Sequence, residues 1–264
     1  MSKTFDPLQG DFIDHIPLKS APLVRVIAQV RFPDVTVNPD RIFVSGFQKA
    51  IRKRYPRFVE EGTQNIVLGP TGVSMSPSVV YRFLDAANVW RVSLTPNFMS
   101  LETKKYESGN DFADRYRELL GHLAETVAPS HVARIGIRYV DQVQVTGGLN
   151  VDDLLERHMS EVSGRLPNVR HMVSELEARS KEGMVLARWG HLPEQGTHDP
   201  EIMPPVENAS WFLDVDSYIG YESELLEYDT NKVAGITHEL ANRAYNFFRW
   251  CVNDHFLAKF GKDA

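Results

Sequence analysis

Residues 131–146, HVARIGIRYVDQVQVT, set the strictest limit on what this chain can fold into, because apolar and polar side chains alternate along them. Ala133, Ile135, Ile137 and Tyr139 fall on one side, and Arg134, Arg138, Gln142 and Gln144 on the other. Successive side chains of a strand point to opposite faces, so the pattern predicts a half-buried antiparallel strand in the middle of the chain. Residues 23–32 repeat the pattern, with Val24, Val26, Ala28, Val30 and Phe32 apolar and Arg25, Gln29 and Arg31 polar. Two such strands, each opening a segment of roughly a hundred residues, predict an internal duplication.

The rest of the chain reads as two parallel accounts. Residues 1–21 carry no sustained period and form an irregular arm, whose Phe5, Phe12, Ile13 and Ile16 can pack on the body or on a partner. Asn38 and Pro39 open a helix as N-cap and first helical residue. Phe43, Phe47 and Ile51 give that helix an apolar stripe, and Pro56 ends it. Strands at 64–68, 78–84, 89–95 and 98–103 follow, with turn residues at Gly69-Pro70, Thr71-Gly72, 85–88 and Pro96-Asn97. A helix over 110–127 collects Phe112, Tyr116, Leu119, Leu120, Leu123 and Val127 on one face, and Pro129 closes it.

In the second segment, Gly147-Gly148 turns the chain and Asn150 caps a short helix. Strands at 168–180, 183–191 and 210–218 follow, the last after a loop at 192–208 that is rich in Pro, Glu and His and reads as surface. A helix over 230–259 carries Val233, Ile236, Leu240, Ala244, Phe247 and Cys251. The expected organisation is an arm (1–21), a β-α-β4-α half (22–130) and a β-α-β3-α half (131–264). This is the α+β class, with a curved antiparallel sheet covered by helices on one face. The element order resembles that of the TATA-box-binding-protein-like (TBP-like) fold, which implies two halves sharing one sheet.

Composition narrows the function classes. With 42% apolar and 24% charged residues the chain reads as an ordinary globular protein. No run approaches the ~20 apolar residues that span a membrane, so no membrane partner is expected. A single cysteine, Cys251, excludes an internal disulfide and points to a reducing cytoplasm; within RWCVND it reads as a packed thiol. A net charge of -6 disfavours nucleic acid as partner, since phosphate neutralisation calls for a basic surface. There is no Walker A, G-x-S-x-G or G-x-G-x-x-G pattern, and no cofactor is implied.

Three stretches carry a family resemblance: PLVRVIAQVRFP at 22–33, WRVSLTPNFMSLET at 90–103 and RIGIRYVDQV at 134–143. Together with the helix around 112–120 they are similar to an uncharacterised, sporadically distributed bacterial protein family. The resemblance implies no activity. Such patchy distribution implies accessory genes, among them defence or toxin–antitoxin loci.

Candidate site residues follow from strand parity. If helices cover one sheet face, the other collects Arg25, Arg31, Arg91, Arg134 and Arg138, with Gln29, Gln142, Glu175, Glu177, Arg179, Asp214 and Asp216 among them. Arg188 joins the set although its strand is apolar on both sides. The plain reading is a solvated face with cross-strand ion pairs, each contributing about 0.2–1 kcal/mol. The sharper reading is a polar groove for a protein or an anionic ligand, and this is the expected function: a binding module without catalysis. Homodimerisation through an unpaired edge strand is compatible with it.

The alternative is enzymatic. Asp214 and Asp216 lie about 6.5–7 Å apart along one strand face and can hold Mg²⁺. Glu175-Leu-Glu177-Ala-Arg179 is similar to the Glu-x-Glu-x-Lys stripe of the triphosphate tunnel metalloenzymes, with Arg179 in place of the lysine. His191, at the entry to the 192–208 loop, and His198, Glu194, Asp199 and Glu201 within it show no zinc-ligand spacing.

Overall fold

The computed structural model describes residues 5–34, 42–69, 72–166, 168–221 and 224–261, and gives the backbone alone for 42–43, 63–69 and 72–78. In chain order the elements are β1 (Leu23–Arg31), α1 (Ile42–Ile51), β2 (Arg57–Gly69), β3 (Gly72–Leu84), β4 (Trp90–Thr95), β5 (Phe98–Thr103) and α2 (Gly109–Thr126). Then follow β6 (His131–Val132), β7 (Arg134–Gln144), α3 (Arg157–Ser160), β8 (Met172–Arg179), β9 (Met184–Leu192), β10 (Ser210–Gly220), β11 (Leu226–Glu227), α4 (Thr230–Cys251) and α5 (Asp254–Lys259).

The protein is α+β, built on one large, antiparallel, curved sheet of nine strands in the order β2-β3-β4-β5-β1-β7-β10-β9-β8. The two strands with the clearest alternation, β1 and β7, pair at its centre, Ile27 opposite Arg138 and Val30 opposite Ile135. From β1 the sheet grows outward through β5, β4, β3 and β2; from β7 it grows through β10, β9 and β8. In each direction the strand that comes last in sequence lies next to the first. Every pairing in the sheet is antiparallel.

The helices α1, α2 and α4 pack on one face. Val26, Ala28, Val30, Ile135 and Ile137 meet Phe47, Phe112, Tyr116, Leu120 and Leu240 in one core cluster. A second cluster joins Trp211, Leu213 and Val215 to Ala244, Phe247 and Cys251 of α4. The expected stripes of α2 and α4 are therefore the packed ones. Ser108 caps α2, its side chain accepting from the Asp111 amide, and Asp229 caps α4 through the Lys232 amide.

Several expectations need correction. The helix expected over 230–259 breaks at Val252, where Asn253 caps α5 by accepting from the His255 and Phe256 amides. Asn150 precedes a 3₁₀ turn, and its side chain bonds to Asp153 without capping an amide. The β2–β3 hairpin is longer than its apolar runs, pairing Arg57 with Leu84 at one end and Gly69 with Gly72 at the other. The turn residues Pro70 and Thr71, and the helix opening at Asn38 and Pro39, lie outside the described residues.

Val24 departs from parity. The register slips between Leu23 and Arg25, a bulge that gives β1 an extra residue against β7. Val24 packs with Val140, Leu192, Met203 and Phe212, on the side of the sheet away from the helices.

The arm is held by α4. The Arg243 guanidinium donates to the carbonyls of Pro7 and Gly10, and Asn246 donates to that of Asp11. The Tyr245 hydroxyl accepts from the Ile16 amide at 2.7 Å. Leu8, Ile16 and Leu18 pack on the second core cluster, so the arm is part of the body.

Candidate functional site

Parity places the polar sides of β1, β3, β4, β5, β7, β8, β9 and β10 on the face away from the helices. Each expected arginine on that face is found there, and most have found an acid. Arg138 donates twice to Asp214, from Nε to Oδ1 at 2.7 Å and from a terminal nitrogen to Oδ2 at 2.6 Å. The same terminal nitrogen reaches Asp199 at 3.2 Å. Burial opposes the charge on Arg138, but Asp214, Asp199 and Asp216 outweigh it and hold the guanidinium pKa above its ordinary value. Arg134 donates to Asp216 at 2.7 Å and lies over the Tyr218 ring, 4.4 Å from its centroid. Burial raises the Asp216 pKa, with Arg134 opposing.

On the other side of the centre, Glu102 accepts from two arginines, Arg25 at 3.2 Å and Arg91 at 2.8 Å. Farther out, Arg82 bonds Glu61 and Ser93. At the opposite margin Arg188 pairs with Glu175, and the Tyr218 hydroxyl donates to Glu177. Arg31 is exposed and, among the described residues, has no ion pair. The face is a lattice of matched charges, the ion pairs expected of a sheet surface, and Arg188 belongs to it.

The 192–208 loop does not behave as surface. It crosses the middle of this face: Met203 is 1% exposed and packs with Val140, Leu192 and Phe212. His198 stacks on the Phe212 ring with centroids 5.2 Å apart. The carbonyls of Glu201 and Ile202 accept from Arg25, which is only 6% exposed. Arg25 therefore holds the loop down, and burial lowers its pKa. The groove envisaged along all six arginines is interrupted at its centre, leaving Arg31, Arg91, Arg134 and Arg188 around the covered zone.

The acids of the enzymatic alternative are engaged as well: Glu175 with Arg188, Glu177 with Tyr218, Asp214 with Arg138 and Asp216 with Arg134. Among the described residues no group of three or more His, Cys, Asp or Glu side chains is placed to hold a metal ion. The sheet ends in two separate edge strands, β2 and β8, which do not pair to close a tunnel.

Residues that parity reasoning overlooked include Glu102, legible as the polar partner of Ser100 and Phe98 on β5, and Arg82 on β3. Asp199 carries no such signal, because it reaches Arg138 from a loop. A further polar cluster lines a cavity of about 710 Å³ beside the 3₁₀ turns at 151–154 and 163–165, where Ser163 Oγ donates to Asp152 at 2.9 Å and His191 Nε2 lies 3.5 Å from the same oxygen. Here the serine bonds the acid and not the imidazole, so no base is placed to activate it.

No family model matches. No curated protein matches the chain either. Among the described residues no helix is long and apolar enough to cross a membrane.

Proposed function

We propose that this chain is a non-catalytic interaction protein that recognises a protein partner through the uncovered part of its arginine-bearing sheet face. One observation carries the reading. On β7, β10, β9 and β8, Arg134, Tyr218 and Arg188 share a face with Met184, Leu186 and Val173, away from every packed helix. Arginine, tyrosine and methionine are the residues enriched in interface cores, and their ring and guanidinium planes here are already fixed by neighbours.

Matched charge favours a protein over an anionic small molecule. Except at the exposed Arg31, an anion would have to displace Asp214, Asp216 or Glu175 from its arginine, whereas a polar protein surface can meet both signs at once. The paired acids and the open sheet likewise support binding ahead of the tunnel-type triphosphate hydrolase. The strand order supports reading the molecule as two TBP-like halves. Membership of the sporadic bacterial family and a role in an accessory or defence locus rest on the sequence resemblance alone, and a cytoplasmic location on the single cysteine.

The test is capture of the partner from the source organism, read by native mass spectrometry. Arg188→Glu is expected to weaken capture at least tenfold, while Arg188→Glu with Glu175→Arg restores the ion pair and the fold but not the partner. Undiminished capture by Arg31→Glu, Arg134→Gln and Arg188→Glu would remove the sheet face as the site. Mg²⁺-dependent phosphate release from a triphosphate, lost in Glu175→Ala, would turn the reading to the hydrolase.

A further inference from the structure

β7 carries one acid on its apolar side. Asp141 continues the parity of Ile135, Ile137 and Tyr139, stands opposite Leu23 of β1 and Leu213 of β10, and is 7% exposed. The β1 bulge lies beside it. Its side chain lines a cavity of about 310 Å³ enclosed by the arm at 15–18, the start of α2, and α4. The space exists because α4 presents Ala241 and Ala244 at that level. Much of the wall is aromatic: Tyr106 and Tyr139 meet edge-on at 6.1 Å, and Tyr245 and Phe248 lie across from them.

Every other buried acid of the sheet is answered by arginine, Asp214 by Arg138 and Glu102 by Arg25 and Arg91. Asp141 is the exception. Among the described residues no side chain donates a hydrogen bond to it and no cation pairs with it; burial alone acts on it, pushing its pKa up to about 7. A carboxylate kept in such a place without a partner lowers stability, because its charged form has lost water and gained nothing.

We propose that this cavity is a binding site for a small organic ammonium compound with an aromatic body, its cationic head on the Asp141 carboxylate and its ring among the tyrosines. An ammonium head supplies the missing counter-charge, and aromatic faces attract cations and stack on flat ligands. The volume falls at the lower end of ordinary small-ligand sites, about 300–1,000 Å³, which use a few polar groups to orient a ligand; Asp141 is the buried one here, and the exposed His15, Glu107 and Ser108 also line the cavity. The cavity lies on the opposite face of the sheet from the arginine lattice and stands whether or not that lattice binds a protein.

Calorimetric titration of the full chain at pH 8 tests this with three probes of one shape: phenethylamine, 2-phenylethanol and 3-phenylpropionate. Phenethylamine is expected to bind saturably and at least tenfold more tightly than the alcohol, with no binding of the carboxylate. Asp141→Asn is expected to cost phenethylamine at least tenfold and to spare the alcohol; Ala241→Phe, which fills the cavity, is expected to abolish binding of both. The proposal is overturned if phenethylamine does not bind saturably, if the alcohol binds as well as the amine, or if Asp141→Asn binds the amine unchanged.

Discussion

Arg138 and Asp214 meet diagonally across β7 and β10 in a two-pronged ion pair, although the residue directly opposite Arg138 is Asp216. The diagonal leaves Asp216 to Arg134 and lets the free edge of Arg138 reach Asp199 in the covering loop. One arginine thereby fixes the register of two strands and the position of a loop. Arg138→Met should strand the buried Asp214 and destabilise the fold by about 3–5 kcal/mol. Arg138→Met with Asp214→Leu should recover most of that loss, as measured by urea denaturation. Equal stability of the single and double variants would contradict the account.

Asp141 should make stability fall as pH rises. Its carboxyl is pushed from 3.8 to about 7 in the folded protein, so between those values the folded state holds a proton that the unfolded state has released. The unfolded state binds fewer protons there, and stability declines across that window and then levels off. The full penalty above pH 7 is on the order of 4 kcal/mol. Asp141→Asn should therefore raise the Tm clearly at pH 8 and hardly at pH 4. A pH-independent difference would count against a strongly raised carboxyl.

Met203 anchors the loop that interrupts the arginine face. Met203→Ala should cost about 2–5 kcal/mol if the loop unfolds with the sheet. If the loop opens locally, the loss appears as faster hydrogen exchange at 196–205 with the global midpoint unchanged. Neither change would mean that the carbonyl bonds to Arg25 alone hold the loop.

Arg243, fully buried, joins Glu182 to the arm, with bonds of 2.6 and 2.9 Å to the carboxylate. Its planar fork serves the acid and two arm carbonyls at once, which a lysine ammonium cannot do. Both Arg243→Lys and Arg243→Ala should release the arm to protease and lower stability by about 3–5 kcal/mol. Retention of the arm by the lysine variant would show that charge suffices.

Cys251 should be inert in the folded state. It is fully buried, and burial together with the charge of Asp141 holds its thiol well above the ordinary range. A thiol reagent at pH 8 should react with it only after denaturant is added. Rapid labelling of the native protein would contradict the packing of α4 described here.

Strand parity and helix stripes are local, and the sequence by itself determined them: which residues of β7 and most of β1 face the helices, how α2 and α4 present their apolar sides, and that six arginines share one sheet surface. Even Asp141 was legible, since the count of two from Ile137 and Tyr139 lands on it; what parity could not show was that nothing answers it. Pairing is decided by distance across the fold. Whether an arginine is free or matched depends on residues such as Glu102, 77 positions from Arg25, and Asp214, 76 from Arg138. The bulge that turns Val24 over, and the loop that settles on Phe212 and Arg25, depend on surfaces that exist only once the sheet is assembled. Tertiary structure alone could decide these, because hydrogen bonds and burial act through space while periodicity acts along the chain.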